Sequence, residues 1–120
     1  MYQNVLYRTI KGNQKIKKMD KRTALKLSKK YIKLLQGKYK IKKAYMFGSF
    51  ARGNAYEHSD IDVAIVLGGS FDFFDTQLDL MKLRWDLDSR LEPHPIPEKN
   101  FNKSNALANE VLKYGIPIKL

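Results

Sequence analysis

The run Asp60-Ile61-Asp62-Val63-Ala64-Ile65-Val66-Leu67 constrains this chain more than any other stretch. Two carboxylates head it, and every residue after Asp62 is aliphatic. Such residues favour the pleated conformation, and a strand without polar alternation must be covered on both faces. The chain therefore has to supply a sheet and the helices that enclose it. A chain of 120 residues buries roughly two-thirds of the surface its unfolded form exposes, enough for one core. The predicted fold class is α/β of the α+β kind, a small mixed sheet with helices packed against it.

The flanking segments provide those parts. Residues 20–36 read as a helix, with Asp20 as N-cap and Gly37 as stop. Ala24, Leu27, Tyr31, Leu34 and Leu35 recur at helical spacing, with the lysines at 26, 29, 30 and 33 mostly off that stripe. Ile41–Phe47 reads as a strand, broken sharply by Gly48-Ser49. A short helix near 50–52 and a turn at Gly53-Asn54 follow. Beyond the apolar run and a Gly-Gly-Ser turn, residues 71–86 read as a second long helix. Phe71, Phe74, Leu78, Met81 and Trp85 form one stripe of it, and Asp72, Asp75 and Asp79 form another, read as a solvated face. Residues 87–92 read as a third strand. The prolines at 93, 95 and 97 are expected to end it, because they cannot donate to a central ladder. A last helix is predicted over 104–114, with Leu107, Val111 and Leu112 inward, and a short edge strand over 116–120.

Charge divides the chain. Residues 1–43 hold 15 Lys and Arg against the single acid Asp20, whereas residues 44–120 hold 8 against 11 acids. Residues 1–18 show no period and are expected to form a basic flexible arm, with the folded domain at 19–120. A basic end attracts nucleic acid, but the aromatics are not interleaved with the lysines as base stacking requires. Nucleic acid is thus a possible partner through the N-terminus, not the favoured one. The absence of cysteine excludes disulfides and thiolate zinc sites. No apolar run reaches the ~20 residues that span a bilayer, and the N-terminus lacks a secretory pattern; a cytoplasmic protein without membrane contact is expected.

Three chemical features coincide over Phe47–Val66 and just beyond. Asp60 and Asp62 are two apart in a predicted strand, so their carboxylates share a face. Such a pair repels unless a divalent cation lies between, and oxygen-only ligands suit magnesium. Gly48-Ser49 lies between strand and helix, where glycine permits close backbone approach and N–H groups attract phosphate; Arg52 either supplies charge nearby or holds the loop. Asp88, Arg90 and Glu92 alternate on the third predicted strand, so that one of these acids can complete a three-carboxylate site. His58 in the spacer and His94 between prolines read as surface or packing residues, and no zinc site is expected.

Phe47, Gly48-Ser49, ten spacer residues and then Asp60-Ile61-Asp62-Val63 resemble the signature of the polymerase-beta nucleotidyltransferase superfamily. The fuller string GSFARG…SDIDVAIV is similar to the minimal nucleotidyltransferases (MNT proteins), and DSRLEP at 88–93 resembles the strand of the third carboxylate. The resemblance runs from about Met19 to the C-terminus. It implies the polymerase-beta-like nucleotidyltransferase fold and a catalytic, metal-binding set of Asp60, Asp62 and Asp88, with Glu92 as the alternative third acid. It implies nucleotide contacts from Gly48, Ser49 and Arg52, two magnesium ions, and ATP as substrate. Arg90 is expected to pair with Asp62 or Asp88. The implied reaction moves AMP to a hydroxyl of a partner protein, as in antitoxins paired with small helical HEPN-type toxins. An inert nucleotide-binding module that neutralises a partner by contact, and a small-molecule nucleotidyltransferase, are the alternatives.

Overall fold

The computed structural model of the protein describes residues 19–120; the arm expected at 1–18 lies outside the described residues. Helix α1 spans Lys21–Gln36. The Asp20 carboxylate accepts the Thr23 N–H at 2.7 Å, satisfying a donor that the first turn leaves unpaired. Its buried face is Ala24, Ser28, Tyr31, Ile32 and Leu35, while Leu34 is exposed. Strand β1 (Ile41–Phe47), the single turn α2 (Ser49–Arg52), β2 (Ile61–Leu67), α3 (Phe73–Leu83), β3 (Leu91–Pro97), α4 (Ala106–Tyr114) and β4 (Ile116–Pro117) follow.

The four strands form one sheet in the order β3-β2-β1-β4. β1 is antiparallel to β2 and β4, and β2 is parallel to β3, so the sheet is mixed. β2 lies inside it, and Val63–Leu67 are all buried, as the apolar run requires. On one face Met46, Ile61, Val63 and Ile65 pack with Tyr31, Ile32 and Leu35 of α1 and Leu80 of α3. On the other, Phe47, Ala64 and Ile96 pack with Val111 of α4. Each large side chain buried this way contributes about 1.5–3 kcal/mol. No helix among the described residues is long and apolar enough to cross a membrane.

Two expected elements are placed differently. The third strand runs Leu91–Pro97 rather than 87–92, with all three prolines inside it. The Ile61 N–H donates to the Arg90 carbonyl at 2.8 Å. Backbone polar groups of alternate residues point to opposite sides of a strand, so Glu92, His94 and Ile96 face β2. Leu91, Pro93, Pro95 and Pro97 therefore face the open edge, where a missing N–H breaks no ladder bond. The outward carbonyls of Leu91 and Pro93 are taken by Arg84 Nη1 at 2.8 Å and Gln77 Nε2 at 3.0 Å. At 93, 95 and 97 the edge offers a further strand no donor.

The second correction concerns α3. Its buried residues are Thr76 and Leu80. The stripe legible in the sequence points outward, with Phe74 78% exposed, Leu78 55% and Trp85 57%; of that stripe Phe71 packs on the core. The helix is pinned by the Gln77 bond to β3 and by the Tyr31 hydroxyl donating to the Leu80 carbonyl at 2.6 Å. Those ties fix its inward side at Thr76, Gln77 and Leu80 and turn the large residues away. In the acidic row, Asp72 caps the helix by accepting the Asp75 N–H at 2.9 Å. Asp79 is not a solvated group: Lys38 Nζ lies 2.7 Å from it and the Tyr39 hydroxyl donates to it. In α4 Val111 is buried and Leu112, expected inward, is exposed.

Candidate active site

The site begins where β1 ends. Phe47 is the register partner of Asp62 across the β1–β2 ladder, so the break at Gly48 falls directly beside the Asp62 carboxylate. Gly48 has φ 76° and ψ −152°, a region that in practice only glycine occupies. A Cβ there would lie 2.2 Å from Asp62 Oδ2. Glycine is required twice over, by its backbone angles and by the carboxylate packed against it. The turn then enters α2, which brings Ser49 just past the glycine. Arg52, at the end of α2, lies 3.4 Å from Glu110 of α4, and both side chains are exposed.

The spacer returns the chain to β2 through a closed turn. The Ser59 Oγ accepts the Tyr56 N–H at 2.9 Å, and the Ser59 N–H donates to the Tyr56 carbonyl at 2.9 Å. That turn delivers Asp60, which is exposed and lies one residue before β2 rather than within it. Asp62 is within β2 and half-buried. Its alternation with Ile61 and Val63 puts it on the α4 face of the sheet, the face of Ala64.

β3 brings a second pair of groups to that face. Glu92 is the register partner of Asp62, and His94 that of Ala64. His94 Nε2 lies 3.0 Å from Asp62 Oδ1, and its ring meets the Phe47 ring edge-on at 5.0 Å between centroids. His94, read from the sequence as a surface or packing residue, thus fixes one oxygen of Asp62 while Gly48 accommodates the other. Its signal was present in the spacing of Glu92 and His94, two apart, but is visible only once the strand is carried through the prolines. Glu92 Oε2 lies 3.8 Å from Arg84 Nη1.

The shared face expected for Asp88, Arg90 and Glu92 is not formed, because only Glu92 lies in β3. Asp88 sits in the preceding turn and holds Arg90 in a fork, with Arg90 Nε at 3.0 Å from Oδ1 and Nη2 at 2.8 Å from Oδ2. The same Oδ1 accepts the Arg90 N–H at 2.9 Å. Of the two partners expected for Arg90, the structure shows Asp88. His58 is exposed in the spacer.

Among the described residues no three His, Cys, Asp or Glu side chains gather into a cluster able to hold a metal ion alone. Magnesium does not need one. It binds through one or two carboxylates and completes its shell with water and substrate phosphates. Asp62, half-buried with both oxygens oriented, and Asp60, two residues earlier at the strand entrance, are the oxygen donors that could serve such an ion.

The sequence model of the family described as "Polymerase beta, Nucleotidyltransferase" matches residues 29–119. Two curated proteins of Methanocaldococcus jannaschii are similar to parts of the chain. The candidate protein adenylyltransferase MJ0604 is 46% identical over 50 residues, 40% of this chain and 50% of that protein. The candidate protein adenylyltransferase MJ1379 is 49% identical over 37 residues, 31% of this chain and 37% of that protein. The match thus spans half or less of the length of these relatives. Among solved structures, a candidate nucleotidyltransferase from Sulfolobus solfataricus shares the fold, with a TM-score of 0.61 at 21% identity over 81% of this chain and 80% of that one. A toxin–antitoxin structure with AMP-PNP gives 0.59 at 29% identity over 75% and 70%. The toxin–antitoxin MntA-HepT gives 0.52 at 26% over 76% and 68%.

Proposed function

The chain belongs to the polymerase beta nucleotidyltransferase family, and from that premise we propose that it transfers AMP from magnesium-bound ATP to a hydroxyl of a partner protein. The observation that carries the reading is the contact between the Gly48 turn and Asp62. A backbone turn of the kind that can receive phosphate would then lie against a carboxylate suited to the cation that phosphates bring, which supports the reading. The relatives' description as protein adenylyltransferases and the toxin–antitoxin neighbours support a protein acceptor; a small helical HEPN-type partner and a cytoplasmic setting are part of the same proposal.

In this reading Asp60 and Asp62 would hold the magnesium, two ions being proposed. Glu92 serves as the third carboxylate in preference to Asp88, because it stands in register with Asp62 while Asp88 is committed to Arg90. Magnesium supplies charge neutralisation at the attacking and leaving oxygens of an in-line displacement. The chain's own groups do the rest. The Gly48-Ser49 turn receives the β- and γ-phosphates through backbone N–H groups and the Ser49 hydroxyl, with Arg52 as the nearest positive charge in sequence. His94 keeps Asp62 in one rotamer by bonding Oδ1. The acceptor oxygen bonds to the α-phosphorus as the bond to the bridging oxygen breaks, pyrophosphate leaves, and the acceptor proton passes to the Glu92 carboxylate. The test incubates the protein with magnesium, α-labelled ATP and host lysate, beside an Asp60→Asn, Asp62→Asn double variant. A labelled protein band that the double variant fails to produce is expected. Equal labelling by the two proteins would remove the carboxylates from the chemistry.

A further inference from the structure

We propose that the outward stripe of α3, made by Phe74, Leu78 and the half-buried Met81 and continued by Trp85 in the 3-10 turn Arg84–Asp86, is a docking surface for a basic amphipathic helix of a partner protein. Phe74, Leu78 and Met81 lie at i, i+4 and i+7, the spacing by which one helix presents an apolar ridge to another. Phe74 is 78% exposed, Leu78 55% and Trp85 57%, and Phe73 at the helix start adds another ring at 55%. With aromatic side chains offering ~150–250 Å² each, the patch amounts to roughly 400–500 Å², within the range of a monomer's largest apolar patch, which is often functional. A solvated helix has no use for such a stripe, and the fold does not need it, since α3 is already anchored through Thr76, Leu80, Gln77 and the Tyr31 bond.

The surroundings select the occupant. A strand is excluded at the adjoining β3 edge, because prolines remove the donors at 93, 95 and 97 and side chains cap the carbonyls of Leu91 and Pro93. Among the described residues, the helix and the turn after it carry the exposed acids Asp72, Asp75 and Asp86 against the exposed cation Lys82, and the nearby Lys38 is already paired with Asp79. A two-fold pairing of two copies through this stripe would set an acidic rim against the same acidic rim. A helix with an apolar face and flanking lysines or arginines meets the patch with matching charge. The stripe is linked to the site through one side chain: Arg84, next to Trp85, reaches the Leu91 carbonyl at 2.8 Å and lies 3.8 Å from Glu92. A partner seated on α3 therefore has its near end beside the third carboxylate. Only this last point, delivery of an acceptor, rests on the proposed transfer reaction; the docking does not.

Trp85 is the only tryptophan of the chain, so its emission reports occupancy directly. The probes are two 18-residue helical peptides, one of leucine and lysine with leucine along one face, the other of leucine and glutamate in the same pattern. The full chain is titrated with each. Saturable blue-shifted Trp85 emission with the lysine peptide is expected, and none with the glutamate peptide, although the chain's net charge of +11 favours the latter. Phe74→Ser with Leu78→Ser should weaken the lysine peptide at least tenfold at unchanged Tm, because both side chains are exposed. Asp75→Lys should weaken it without touching an apolar residue. Equal or tighter binding of the glutamate peptide would overturn the proposal, as would affinity indifferent to these variants. So would self-association of the chain alone that Phe74→Ser abolishes, since the occupant would then be a second copy. Docking without labelled transfer would sink the reaction and keep the surface; transfer without docking would do the reverse.

Discussion

Replacing Gly48 by alanine isolates the contact on which the functional reading stands. The backbone at φ 76° and ψ −152° is forbidding to any side chain, and holding alanine there costs about 1–3 kcal/mol. For a domain of this size that lowers Tm by roughly 5–20 °C. The second effect is local. The new Cβ falls 2.2 Å from Asp62 Oδ2 and 3.1 Å from its Cγ, so the carboxylate must retreat by about 1 Å, a displacement that in a preorganised site costs on the order of 100-fold in rate. Gly69 is the control. Its φ is also 76°, yet an added Cβ meets nothing within 4 Å. Thermal melts and initial rates of α-label transfer, measured well below both midpoints, separate the two effects. Both variants should melt lower, and only Gly48→Ala should lose about 100-fold in transfer. Equal losses of transfer in the two variants, or full transfer by Gly48→Ala, would refute the argument that Asp62 needs the glycine.

Three further outcomes follow from the geometry. Glu92→Gln should reduce transfer by on the order of 100-fold or more, while Asp88→Asn should lower Tm by releasing Arg90 and leave transfer within a few-fold; the reverse pattern would return the third carboxylate to Asp88. His94→Ala should weaken magnesium binding, read by calorimetry in the presence of ATP, by about 10–100-fold, with His94→Gln restoring part of it through its amide. At the remote tie between the α1–β1 turn and α3, the Lys38 and Tyr39 hydrogen bonds hold the Asp79 carboxyl below its ordinary value. Its contribution to stability is present above the unfolded carboxylate pKa of about 4 and fades as pH falls through the lower folded value. Urea midpoints of the wild type and Asp79→Asn should therefore differ at pH 7 and converge in acid. The partner phenol of Tyr39, pushed up to about 12 by burial and by the Asp79 hydrogen bond, donates its proton across that whole range.

Local signals carried much of the fold into view. The Asp20 cap, the helical stripe ending at Leu35, the break at Gly48 and the unbroken aliphatic run of β2 each act over a few residues, so the sequence alone displays them. What stayed hidden depends on sheet order and register. Alternating prolines read as a strand end unless it is known that β3 is an edge and that all three face outward. His94 looked idle because its partner, Asp62, is 32 positions away and meets it only through the parallel β2–β3 pairing. Asp88, Arg90 and Glu92 seemed to share a face because alternation was assumed from 87, whereas the strand starts at Leu91. The α3 stripe misled for a different reason. Amphipathicity shows that a helix has an apolar side, not which side the core takes, and here hydrogen bonds from Gln77 and Tyr31 settle the rotation. The Gly48–Asp62 contact falls between these cases: both residues stand out in sequence, but their touching is a property of the β1–β2 register.

The most direct test of the central claim labels ATP separately at its α- and γ-phosphates and follows both labels through one reaction with magnesium, the full chain and its acceptor. The α-label is expected to become covalently attached to protein while the γ-label leaves entirely as pyrophosphate, and neither is moved by the Asp60→Asn, Asp62→Asn variant. Attachment of the γ-label, or attachment of the α-label that survives loss of both carboxylates, would contradict it.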